Sequence, residues 1–245
     1  MTPYYYDLHI HSCLSPCADD DMTPNNIAGM ATLKGLQILA LTDHNSCKNC
    51  PAFFEACRKN GIIPIAGMEL STAEDIHLVC LFEDLKMAMA FDAEIEKHLP
   101  PIRNRADIFG NQLILDGEDC EIGTVENLLI SATDLWVQEA LDLARSFGAH
   151  VHPAHIDRES NGMVAILGDI PKEYGFECFE FKEQKAIGEY RQRFSEIGED
   201  SVLVCSDAHR LWELNEAEHF LMLEDEPYSS SLVRKKLFEY LRCNA

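Results

Sequence analysis

Short apolar runs alternate with helical stretches along most of this chain, and the runs hand over to histidine, aspartate or glutamate. Residues 36–41, 62–66, 149–154, 176–181 and 201–205 read as strands buried on both faces, preceded by an aromatic strand at 4–10. The run I-H-L-V-C-L-F at 76–82 is a further strand. Between them, helices are expected at 24–34, opened by Thr23-Pro24, at 51–59 and at 136–147, which stops at Gly148. A last helix covers 231–241. Strands alternating with helices imply a parallel sheet with right-handed crossovers, either a barrel or an open doubly wound sheet. The stretch at about 84–133 breaks the rhythm with a helix, a hairpin near 112–122 and acidic turns. It reads as an insertion within one domain of residues 1–245, a length that suits one large core better than two.

Composition narrows the function classes. Lys plus Arg total 20 against 42 Asp plus Glu, a formal charge of −22. Such a surface repels phosphate backbones unless metal ions or a local basic patch reverse the field, so nucleic acid is disfavoured as the main partner. No run of about 18 apolar residues suggests a membrane span. The first residues enter a tyrosine-rich strand pattern with no basic and apolar leader, so a cytoplasmic protein is expected. In that setting ten cysteines are reduced thiols, some of them available to metal, rather than a disulfide framework.

The strand ends carry the chemistry. His9 and His11 stand in D-L-H-I-H-S, and residues two apart on a strand share a face. Asp43 and His44 follow the next strand in A-L-T-D-H-N, Glu69 follows the third in A-G-M-E-L, and His77 lies in the fourth. A-H-V-H-P-A-H offers His150, His152 and His155, and V-L-V-C-S-D-A-H ends in Asp207 and His209. Any one of these has a plain explanation: a packed histidine, or a carboxylate capping a helix. Together they line one edge of the sheet, the edge where parallel α/β folds build active sites. A metal site is the economical reading.

The ordered series D-L-H-I-H-S, T-D-H, G-M-E-L, I-H-L-V, A-H and S-D-A-H resembles the PHP (polymerase and histidinol phosphatase) domains over residues 5–209. The resemblance implies an α/β fold, a distorted (β/α)7 TIM-like barrel, with two or three divalent ions (Zn, Mn or Fe) at its mouth and hydrolysis of phosphate esters as its activity. It assigns metal binding to His9, His11, His44, Glu69, His77, His155, Asp207 and His209, with Glu69, Asp207 and His209 as catalytic residues. His155 is preferred to His152 because Gly148 to Ala154-His155 keeps the family spacing. In H-I-D-R, Arg158 keeps the place of a phosphate-binding arginine, a role its planar fork suits. Its plainer alternative is a salt bridge to Asp157 or Glu159.

One segment departs from the pattern. In C-L-S-P-C-A-D-D-D, Pro16 stands at the usual place of an Asp, and Cys17 at that of a His, where the family supplies one or the other to bind a third metal. Cys17 can serve as thiolate ligand, favouring zinc or iron; otherwise Asp19, Asp20 or Asp21 folds back, or two ions suffice. Cys13, Cys17, Cys47 and Cys50 also form C-x3-C and C-x2-C pairs on neighbouring loops, which could meet as an extra thiolate zinc or iron–sulfur site. The substrate class expected is a small phosphorylated metabolite or short nucleotide. The rivals are a 3′-5′ exonuclease-like nuclease, a non-catalytic metal or thiol regulatory module, and another metallohydrolase reaction on the same barrel.

Overall fold

The computed structural model describes residues 1–242. In chain order the elements are β1 (Thr2–Ile10), α1 (Pro24–Lys34), β2 (Ile38–Leu41), α2 (Cys50–Lys59), β3 (Ile63–Ser71), β4 (His77–Phe82), α3 (Leu85–Ile95), α4 (Ala106–Phe109), β5 (Leu113–Leu115), β6 (Glu121–Thr124), α5 (Val137–Ser146), β7 (His150–Pro153), α6 (Met163–Leu167), β8 (Phe179–Phe181), α7 (Ile187–Arg193), β9 (Val202–Val204), β10 (Phe220–Leu223) and α8 (Ser230–Arg242). The start of α1 follows from its sequence: Thr23 accepts from the Asn26 N–H, Pro24 fixes the first turn, and Gly35 at φ 77 ends the helix.

A curled six-stranded sheet, ordered β10-β1-β2-β3-β4-β7, forms the wall of a half-barrel. The parallel β8–β9 pair fills the gap. On one side the Ile156 N–H donates to the Glu180 carbonyl at 2.9 Å, and on the other Ile10 and Ala208 form a parallel bridge. The result is the expected mixed α/β, TIM-like barrel, distorted in a specific way. Its strands are not all parallel: β4 runs antiparallel to both β3 and β7, and β10 adds an antiparallel edge beside β1. The reason lies in the connection. Only residues 72–76 separate β3 from β4, closed by the Thr72 N–H to the Ile76 carbonyl at 2.9 Å, and a parallel crossover needs a dozen residues or more. The stretch at 84–133, expected as an insertion, holds α3, α4 and the small β5–β6 hairpin.

Alternation along the strands sorts the core into two layers. Leu39 and Leu41 pack outward beneath the helices, while Ile38 and Ala40 point into the barrel with Tyr6, Leu8, Ile65 and Val79. Helix α8 closes the interior from below through Val233, Leu237 and Phe238. β3 is longer than its apolar run suggests and is buried at all nine positions, including Glu69. Gly67 makes this possible, because a Cβ there would sit 2.8 Å from Thr42 Cγ2 and 3.0 Å from Leu81 Cδ2.

A register shift interrupts β1. Tyr6 and Asp7 pair with Ile38 and Leu39, but Ile10, not Leu8 or His9, meets Leu41. The extra residue reverses the facing: Tyr4, Tyr6 and Leu8 point into the barrel, and beyond the bulge Ile10 packs outward. His9 and His11 thereby turn toward the barrel mouth.

Candidate metal centre

Glu69 is the hub of the mouth. Its Oε1 lies 2.8 Å from His77 Nδ1, 3.0 Å from His155 Nε2 and 3.4 Å from His9 Nε2. Its Oε2 lies 3.0 Å from His44 Nδ1 and 3.2 Å from His11 Nε2. Asp207 approaches from the far side, with Oδ1 at 3.2 Å from His11 Nε2, 3.5 Å from His9 Nε2 and 3.6 Å from His209 Nδ1. The His209 ring stacks on His11, their centroids 4.2 Å apart. The antiparallel course of β4 explains His77: it begins that strand, so it arrives at the edge where β1, β2 and β3 end.

Three overlapping groups have donor atoms within 4.8 Å of one another: His9, His11, Glu69 and Asp207; His44, Glu69 and His77; His11, His44 and His209. The donor set fits divalent cations. Ser15 gives its hydroxyl proton to Asp43, so it accepts from His11 Nδ1 at 3.0 Å; His9 Nδ1 faces Glu180 Oε1 at 2.8 Å. With both Nδ1 protons so assigned by the hydrogen-bond network, the two Nε2 atoms meet as acceptors 3.1 Å apart beside two carboxylates. Glu69 Oε2, Asp207 Oδ1 and His44 Nδ1 are buried without an aligned hydrogen-bond partner. A cation resolves that arrangement. Without one, protons do: burial disfavours the charged rings, yet Glu180, Glu69 and Asp207 hold His9 well above its ordinary value, and Asp207 and Glu69 push His11 up to about 9. The outer pair is opposite, since burial and the nearby His11 push His44 down to about 4 and His209 to about 3.

Supporting residues come from places the sequence did not advertise. Asp43, placed by its motif at the strand edge, turns away from the cluster and accepts from the Ser12 N–H, the Ser12 hydroxyl and the Ser15 hydroxyl at 2.7 Å each. Ser15 accepts in turn from the His44 N–H at 3.1 Å, so one carboxylate steadies two rings. Glu180, in the middle of β8, is fully buried and accepts from the His155 N–H at 2.9 Å as well as from His9. Its only sequence signal is a carboxylate inside the apolar run F-E-F. Despite burial, His9 and His152 hold its carboxyl well below the usual range. Asp7, equally buried, accepts from the Ser206 and Asn215 N–H groups at 3.0 Å each and sets the loop that presents Asp207. His155 and Asp207 both adopt positive φ, 27° and 48°, so the loops hold them against local preference.

The cluster opens into a cavity of about 320 Å³ whose wall includes Cys17, Asp75, Ile130, Arg158 and Asn161. Arg158 Nη1 bonds Asp207 Oδ2 and leaves Asp157 aside. Cys17 lines this cavity, but none of the three donor groups contains a cysteine. The four loop thiols are not brought together: Cys47 and Cys50 both face the Gly67 carbonyl, at 3.2 and 3.8 Å, and Cys13 lies beside Asn49 Nδ2. Their loops emerge at one end of the sheet, yet Cys47 and Cys50 share a packing site at the Gly67 carbonyl, apart from Cys13 beside Asn49 and Cys17 at the cavity. His98 pairs at the surface with Asp134, while His150 and His152 are buried below the cluster. No helix among the described residues is long and apolar enough to cross a membrane.

Residues 7–88 match the family described as PHP domain. The chain is 35% identical over 77 residues to an error-prone DNA polymerase of Symbiobacterium thermophilum, a stretch covering 31% of this chain and 7% of that one. Among solved structures it is similar to the lesion-specific endonuclease Q of Pyrococcus furiosus, with TM-score 0.61 and 18% identity over 96% of this chain and 55% of that one. A second similar structure is described as a metal-dependent phosphoesterase of Bifidobacterium adolescentis, with TM-score 0.59 and 17% identity over 97% of each chain. The chain therefore spans a small part of the polymerase and about half of the endonuclease, and at these identities the structural likeness speaks for the fold.

Proposed function

We propose, from the premise that residues 7–88 of this chain are a PHP domain, that the protein is a metal-dependent phosphoesterase acting on a small phosphorylated metabolite or short nucleotide. The observation that carries the reading is Glu69, ringed by nitrogens of five histidines within 3.4 Å at the floor of a cavity walled by Arg158. His9, His11, His44, Glu69, His77, His155, Asp207 and His209 would hold two or three ions of zinc, manganese or iron. Such ions supply Lewis acidity and acidify water at neutral pH.

The chain's own groups do the rest. Asp207 Oδ1 and Glu69 Oε2, both without aligned partners, are placed to orient the attacking water and accept its proton. The guanidinium of Arg158 neutralises phosphoryl oxygens as water adds to phosphorus and the ester P–O bond breaks. His209 donates from Nδ1 to the Asp207 carbonyl at 2.9 Å, which leaves the Nε2 lone pair free to hold an ion. The cavity volume matches a compact ligand, and a cationic centre lets a chain of net charge −22 hold an anion. One domain with an inserted wall at 84–133, working in the cytoplasm, is part of this reading.

The test is elemental analysis of protein purified without chelator, followed by a phosphate-ester screen. Two to three ions per chain and turnover abolished by His9→Ala and Asp207→Ala are expected; unchanged turnover in either variant defeats the proposal. A nuclease is the second reading, favoured by one surface feature. Trp212 is 66% exposed three residues beyond His209, with the Arg210 guanidinium over its ring, a platform on which a base can stack. Trp212→Ala that weakens single-stranded oligonucleotide cleavage but spares small esters selects this reading.

A further inference from the structure

Arg158 is not the only cation beside Asp207. Lys182, the first residue after β8, donates from Nζ to the Ser206 carbonyl at 2.8 Å and stands 4.0 Å from Asp207 Oδ2, the same oxygen that Arg158 bonds. The two side chains are about equally open, 40% exposed for Arg158 and 39% for Lys182. Each has donors left over: Arg158 spends one of its five on Asp207, and Lys182 one of its three on Ser206. Their spacing is fixed by Asp157, whose carboxylate accepts from the Lys182 and Glu183 N–H groups at 2.9 Å each. The loop bearing Arg158 and the loop bearing Lys182 are thus tied by one residue.

We propose that Arg158 and Lys182 form a two-cation clamp that selects a terminal phosphate monoester over a phosphodiester, with Lys182 a substrate-binding residue and Asp157 its positioning residue. The inference rests on the phosphoesterase reading and narrows it. A monoester at neutral pH carries between one and two negative charges and three non-bridging oxygens, since its second pKa lies near ~6. Guanidinium takes two oxygens side by side and ammonium binds a third as a point charge. A diester has one charge and two such oxygens, and its second substituent occupies the place of the third. Asp207 already offsets one of the two positive charges, so the preference rests on the third non-bridging oxygen that only a monoester offers.

The experiment compares wild type, Lys182→Met and Lys182→Arg, all metal-loaded. Inorganic phosphate binding is measured by calorimetry, and kcat/KM with 4-nitrophenyl phosphate and bis(4-nitrophenyl) phosphate. Loss of one charge-assisted contact corresponds to about ten- to a hundredfold. Lys182→Met should therefore weaken phosphate binding and lower monoester kcat/KM by that factor, with the diester changed less than about threefold; Lys182→Arg should recover most of the loss. Equal losses on both esters, or phosphate binding untouched in Lys182→Met, overturns the clamp. If wild type turns over neither ester, the phosphoesterase reading fails, while calorimetry still decides whether Lys182 holds phosphate.

Discussion

The two halves of the barrel are built by different means. From β1 to β4 the strands are continuous and hydrogen-bonded to one another, and β3 is buried at all nine positions. His9, His11, His44, Glu69 and His77 sit on or just beyond that sheet. On the other side β8 and β9 have three residues each and form a separate two-stranded sheet. There, side chains tie the loops: Glu180 to the His155 N–H, Asp7 to Ser206 and Asn215, Asp157 to Lys182 and Glu183. Backbone hydrogen bonds carry most of the first half, whereas the second leans on side-chain ties that a single substitution can loosen. The first half supplies most of the ion-holding groups; the second supplies Arg158, Lys182 and the residues that brace them.

That contrast can be broken in graded steps. Glu180→Gln keeps the shape of the β8 carboxylate but removes the charge facing His9, and ion affinity should fall about ten- to a hundredfold in a competition titration with a chelator. Unchanged affinity would mean that the sheet alone positions His9. Asp157→Ala acts on the second half only: kcat/KM for a phosphate ester should drop about tenfold, as expected for slight misplacement of binding groups, while ion stoichiometry stays as in wild type. A loss of ions in that variant would erase the division between halves. The smallest effect is one of pH. In the ion-free protein His11 is raised from 6.5 to about 9, so its contribution to stability is full below pH 6.5 and is lost as pH rises through about 9. The melting temperature of ion-free protein should fall by a few degrees across that window, and loading with metal should flatten the slope.

Legibility from sequence followed the same division. The ends of β1 to β3 could be read because a parallel, doubly buried strand leaves a continuous apolar run that stops at its functional residue. His77 was harder. A histidine opening a strand looks like a core residue until the five-residue link at 72–76 shows that the strand must run backward. β8 and β9 are too short for periodicity to mark their supporting groups, so Glu180 and Lys182 were passed over, since neither belongs to a spaced motif. Asp43 was visible and its position was right, but direction is a property of the turn at Ser12–Ser15, which no alternation pattern encodes. The thiol pairs failed for a related reason: spacing places loops at one end of a sheet without saying which way the sulfurs face.

The extra residue in β1 has a consequence for how this chain can change. Below it, substitutions at Tyr4, Tyr6 and Leu8 are felt by α8 and the barrel floor; above it, changes at His9 and His11 are felt only at the mouth. Two tasks that would otherwise compete for one face of a nine-residue strand are uncoupled by a single skipped partner. Smoothing the bulge into a regular ladder would keep every β1 side chain in the sequence, yet set His9 opposite Leu41 and turn it outward under the helices. In this strand the count of residues, as much as their identity, is what the chemistry inherits.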